Sequence, residues 1–247
     1  MTPRFVLALL LAAASVGTRQ AQAKQPTKAP QKQSRALPAD HNFDCGSQPA
    51  GLLSWNPDGI SLPRGVGSKF KLLKSARSAK DTGPAGCKRL PPMSVIVHGA
   101  NEGNIQRADF VIVEEDVAVY RAFSKSRFEC STESPAQQNG AWWSFERPQQ
   151  KHDFRTDNAV CRDWNDFSEI VSCTLKAGTV IAVGPTQSVA CAQPRTAANC
   201  KRPPTNWPGS FKANTHHQIF LNLRGRSQTE IGQFLKNCRV SSWPGRE

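Results

Sequence analysis

Long hydrophobic runs, nucleotide-binding loops and metal-ligand spacings are all missing from this 247-residue chain. After its first residues, no segment approaches the ~18 continuous apolar residues of a membrane-spanning helix, so stable membrane insertion is not expected. There is no C-x-x-C pair and no Cys/His cluster at zinc-ligand spacing, and no metal site or resident cofactor is expected. G-x-S-x-G, Walker A and G-x-G-x-x-G patterns do not occur, which removes support for the common motif-borne chemistries. No internal repeat is visible. Acidic residues are scarce: 19 Asp and Glu stand against 32 Lys and Arg, a formal charge of +13. That balance favours anionic partners, whether nucleic acid, lipid, wall polymer or a phosphate-bearing small molecule, but it bears on association rather than on chemistry.

The first residues point to a compartment. "MTPRFVLALLLAAASVGTRQAQA" has a basic start at Arg4, an apolar stretch from Phe5 to Val16 and the small-residue run Ala21 to Ala23. This is the pattern of a secretory signal peptide over 1–23, cut before Lys24, leaving a secreted or periplasmic protein. All eight cysteines follow it, and an even count in an exported chain reads as disulfides. Cys191 and Cys200 close a short Pro-containing loop and are the one pairing we expect from sequence.

Residues 24–40, rich in Pro, Gln and Lys without a hydrophobic pattern, read as a basic disordered linker. Residues 41–100 read as a loop-rich N-terminal subdomain, with "NPDG", "LPRGVGS" and "TGPAG" as turn signals. Ser68 to Lys80 is expected to form one helix there, with Phe70, Leu73 and Ala76 on a single face. Beyond residue 100 the chain turns to strands. "FVIVEEDVAVYRAF" gives two, "VSCTLKAGTVIAVGP" two more, and "HHQIFLN" another. "DNAVCRDWNDFSEI" reads as helix or loop, and Ser227 with Glu230 marks a capping box at a terminal helix. The expected fold class is α+β: a mixed, largely antiparallel split β-sheet core with a few short helices, stabilised by disulfides.

Three segments carry candidate chemistry. In "VAVYRAF" alternation puts Arg121 on the same side as Val117, Val119 and Phe123. A guanidinium there can grip a phosphate with its planar fork, or cover apolar surface and pair with Glu114 or Glu115. In "GAWWSFERP", Trp142 shares a face with Ser144, and Trp143 shares the other with Phe145. An indole can stack on a nicotinamide or a base, and the serine can bond a ribose hydroxyl or carboxamide; core packing is the competing use of both tryptophans. In "NTHHQIFLN", His216 and His217 stand at the start of a strand with Gln218 next, offering acid–base work and a group to position water or sugar.

Taken together, their order and flanks resemble the secreted ADP-ribosyltransferase and NAD-glycohydrolase toxins over about residues 110–223. The resemblance implies that 101–247 is an NAD-binding catalytic domain with NAD as substrate rather than cofactor. It implies Arg121 on the NAD diphosphate, Trp142 and Trp143 at the nicotinamide, His217 among the substrate-binding residues, and Ser144 and Gln218 as catalytic residues. No Glu-x-Glu or Gln-x-Glu pair lies near Gln218, and Thr215, His216 and His217 stand where the family has glycines. NAD hydrolysis is therefore at least as well supported as transfer to a protein acceptor. Two other functions fit the composition: a non-catalytic module that binds anionic polymers or lipids, and a secreted nuclease using His217, Glu146 or His152.

Overall fold

A computed structural model describes residues 42–46, 51–125, 138–162, 164–191, 209–223 and 225–244. All of them belong to one compact unit, Ala36–Glu247. The expected signal peptide and linker lie outside the described residues.

Among the described residues, ten strands and two α-helices follow in chain order. They are β1 (Phe70–Ala76), β2 (Ala108–Val113), β3 (Val117–Phe123), β4 (Trp142–Trp143), α1 (Lys151–Asn158), β5 (Glu169–Leu175) and β6 (Val180–Pro185). After them come β7 (Val189–Ala190), β8 (Ser210–Phe211), β9 (His217–Phe220), α2 (Gln228–Phe234) and β10 (Leu235–Ser242). A five-stranded sheet has the order β1-β2-β6-β9-β4, and a three-stranded sheet the order β10-β5-β3. Every pairing between these strands is antiparallel. The fold is α+β, mostly antiparallel and tied by disulfides.

Alternation along β2 and β6 explains how the sheets pack. Val111, Val113, Ile181 and Val183 face the core shared with the three-stranded sheet, where they meet Val117, Val119, Val171 and Leu175. Helix α2 completes this core with Ile231 and Phe234, its start fixed by the capping box of Ser227 and Glu230. On the opposite face Phe110, Ile112, Val180 and Ala182 pack under Phe43, Met93, Ile96 and Val97. Residues of the loop-rich 41–100 region thus cover the outer face of the large sheet. Because both faces are covered, β2 and β6 are buried from end to end.

The helix expected over Ser68 to Lys80 is instead β1, preceded by a single 3-10 turn at Gly67–Lys69. A bulge between Leu72 and Lys74 explains the misreading. Phe70 and Leu72 face the inter-sheet core and Leu73 the outer one, as alternation requires, and the extra residue then turns Ala76, which would otherwise follow Leu72 inward, to the outer side as well. The apolar positions therefore lose period two. Buried Asp109 binds β1 and β2 to the preceding loop, accepting from Trp55 Nε1 at 3.0 Å, Arg107 Nη1 at 3.1 Å and Ser75 Oγ at 2.7 Å.

The expected Cys191–Cys200 bridge is not formed. Cys191 is bonded to Cys161. Loop closure alone suggested a partner close in sequence, whereas the fold lays the chain after α1 beside β7, and Cys200 itself lies outside the described residues. Cys45–Cys87 and Cys173–Cys238 are the other described bridges. No helix among the described residues is long and apolar enough to cross a membrane.

Candidate functional site

A cavity of about 200 Å³ opens where β3, β4 and β9 meet the segment following α1. Arg121, Trp142, Trp143 and Gln218 all line it. Arg121 keeps the alternation read from sequence: Val117, Val119 and Phe123, on its side of β3, lie in the inter-sheet core. Its guanidinium leaves that core at the cavity and donates from Nη1 to the Trp142 carbonyl at 2.8 Å. Gly140 is required here, because a Cβ at that position would occupy the space the guanidinium fills. Trp143 Nε1 closes the same segment onto the Gly140 carbonyl at 2.8 Å. Burial holds the Arg121 pKa down to about 10, so the group remains a cation at neutral pH, in poorly hydrating surroundings.

Gln218 is almost wholly buried and its amide orientation is fixed. Nε2 lies within hydrogen-bonding range of the carbonyls of Asn158 at 2.9 Å and Asn104 at 3.2 Å, and of Thr186 Oγ1 at 3.2 Å. With the nitrogen committed, Oε1 remains to accept from an occupant of the cavity. Arg121 is the only cation in the described lining, which contains no carboxylate.

The outer wall comes from residues that sequence reasoning passed over: Asn158, Ala159, Trp164, Asn165 and Phe167. Arg155 holds this wall, donating to the Asn165 carbonyl at 2.7 Å and lying 4.4 Å over the Phe167 ring. Asn165 Oδ1 in turn accepts from Ser124 Oγ at 2.7 Å and the Phe167 N–H at 3.0 Å. Three lining residues, Asn104, Ala159 and Phe167, have positive φ of 62°, 47° and 56°. Alanine and phenylalanine adopt that conformation only at a cost, and such strain gathers at functional sites. The one hint of this wall in the sequence was the aromatic pair of "DWNDF", set in a stretch without periodicity.

Ser144 and His217 are brought to each other rather than to this cavity. Ser144 bridges Tyr120 across β3 and β4, with reciprocal backbone bonds of 2.8 Å. The fully buried His217 ring bonds the Ser61 carbonyl through Nδ1 at 2.8 Å. Its Nε2 accepts from the Phe145 N–H at 2.8 Å and faces Ser144 Oγ at 3.2 Å. That arrangement requires a neutral ring protonated at Nδ1, and burial, reinforced by neighbouring His216, holds its pKa down to about 3.

A second cavity, also about 200 Å³, adjoins the first across Phe154, which lines both. Ser144, Glu146, Asp153, Asp157 and His216 line it. Burial lowers the His216 pKa, opposed by the charges of Asp157 and Glu146. His152 is exposed on α1 and lines neither cavity. Among the described residues no group of three or more His, Cys, Asp or Glu is arranged to hold a metal ion. No family model, curated protein or solved structure matches the chain.

Proposed function

We propose that this protein is an exported NAD-cleaving enzyme, an NAD glycohydrolase or a mono-ADP-ribosyltransferase-like effector, as its resemblance to the ADP-ribosyltransferase toxins implies. The observation that carries the reading is the convergence of Arg121, Trp142, Trp143 and Gln218, from three separate strands, on one cavity. The disulfides accord with an oxidising compartment, and hence with export.

In this reading Arg121 holds the diphosphate, Trp142 packs against the nicotinamide, and Gln218 Oε1 accepts from the ribose or from the attacking water. The C1′–N1 bond breaks with its electron pair going to nicotinamide, which leaves as a neutral molecule. Water adds to the oxocarbenium-like carbon and its proton passes to solvent, giving ADP-ribose. Positioning and charge complementarity supply the catalysis. Ser144 and His217 act as positioning residues that fix β4 between Arg121 and Gln218.

The test is release of nicotinamide from NAD by the purified protein lacking residues 1–23, followed chromatographically, with an RNA-cleavage assay in parallel. Turnover that falls at least tenfold in both Arg121→Ala and Gln218→Ala supports the reading. No turnover in the wild type, or turnover unchanged by Arg121→Ala, overturns it. RNA cleavage in place of NAD cleavage makes the protein a nuclease.

A further inference from the structure

Trp164 stands at the mouth of the first cavity, 37% exposed. The other large hydrophobic residues exposed among the described residues are Leu53, Val95 and Val240, none of them aromatic and none lining this cavity. A lone exposed tryptophan on a surface calls for no explanation. This one stands beside Gly103 on an anchored backbone. Its six-membered ring lies so close to Gly103 that a Cβ there would come within 3.3 Å of it. Its backbone N–H donates to the Cys161 carbonyl at 3.1 Å, next to the Cys161–Cys191 bridge.

The size of the cavity indicates what such a ring is for. About 200 Å³ falls below the roughly 300–1,000 Å³ of sites that enclose most of a drug-sized ligand. A dinucleotide can place only one end inside, and the smaller, single-ring end is the one that fits beside Trp142 and Gln218. With Arg121 on the diphosphate, the purine end must leave through the mouth, where Trp164 is the exposed aromatic surface. The geometry points to Trp164 as the stacking platform for the purine half of the substrate, outside the cavity. This inference rests on the NAD reading of the site and adds to it a residue that selects for the nucleotide. The backbone that carries the ring is anchored before ligand arrives, which limits the ordering that stacking costs.

The experiment compares wild type, Trp164→Ala and Trp164→Phe by calorimetric titration with three non-hydrolysed probes: nicotinamide, AMP and ADP-ribose. Stacking of a base on an aromatic side chain corresponds to roughly 5- to 150-fold in affinity. Trp164→Ala is expected to weaken AMP and ADP-ribose by about tenfold or more on that scale, to leave nicotinamide within about twofold, and to be largely rescued by Trp164→Phe. Equal losses for all three probes, or none for AMP and ADP-ribose, would overturn the platform while leaving the NAD reading intact. Failure of the wild type to bind any of the probes would overturn both. Thermal melts of the variants establish that each is folded, as expected for an exposed position.

Discussion

The guanidinium of Arg121 occupies the volume that a side chain on Gly140 would need. One residue belongs to β3 and the other precedes β4, so the position of the cation depends on a glycine 19 residues away in the chain. Gly140→Ala is expected to expel the guanidinium and reduce NAD turnover at least tenfold, close to the effect of Arg121→Ala. The clash falls on the far end of a long side chain beside a cavity, so the displacement should cost much less stability than overpacking a closed core. Turnover and thermal melting of the two single variants check it, and wild-type turnover in Gly140→Ala would refute the dependence.

His217 gives the fold a pH dependence with a definite sign. Its ordinary pKa is about 6.5, and in the folded chain it is about 3. Between these values the unfolded chain binds a proton at His217 that the folded chain does not, so stability falls as the pH is lowered through the window. The slope from this one residue is about 1.4 kcal/mol per pH unit. Urea denaturation of wild type and His217→Gln at pH 7 and pH 5 should show a shallower dependence in the variant, whatever its absolute stability.

Much of this was legible in the sequence. Regular alternation exposed β3 and its out-of-place Arg121, and the spacing of Ser227 and Glu230 marked the start of α2. What period two could not show was β1, where the bulge after Leu72 turns Ala76 away from the core that Phe70 and Leu72 share. The cavity's outer wall was hidden for another reason: Ala159 and Phe167 hold left-handed backbone that their side chains do not favour, so no local preference announces it. The Ser144–His217 contact spans 73 residues and follows only from the pairing of β4 with β9.

Peptide mapping under non-reducing conditions should recover Cys161 linked to Cys191, and no peptide linking Cys191 to Cys200. Replacing Cys161 and Cys191 together with serine opens a loop spanning 30 residues, for which loop closure predicts a loss of about 3–4 kcal/mol. Recovery of a Cys191–Cys200 peptide would contradict the described bridge.

Asp109 is expected to be among the most sensitive positions of the large sheet. Asp109→Ala leaves Arg107, Trp55 Nε1 and Ser75 without their shared acceptor, and removing one partner of a buried ion pair costs about 3–5 kcal/mol. The urea midpoint should fall accordingly, whereas a change below about 1 kcal/mol would mean that the pair behaves as a solvated one.

The left-handed residues around the cavity set a direction for any search through sequence variants. A library selected only for thermal tolerance would favour replacements that let the backbone at Ala159 and Phe167 relax. Each gain in tolerance would loosen the wall behind Trp164 and Gln218, so the most heat-resistant descendants should be among the poorest binders. Selection for binding would preserve the awkward backbone that selection for tolerance removes.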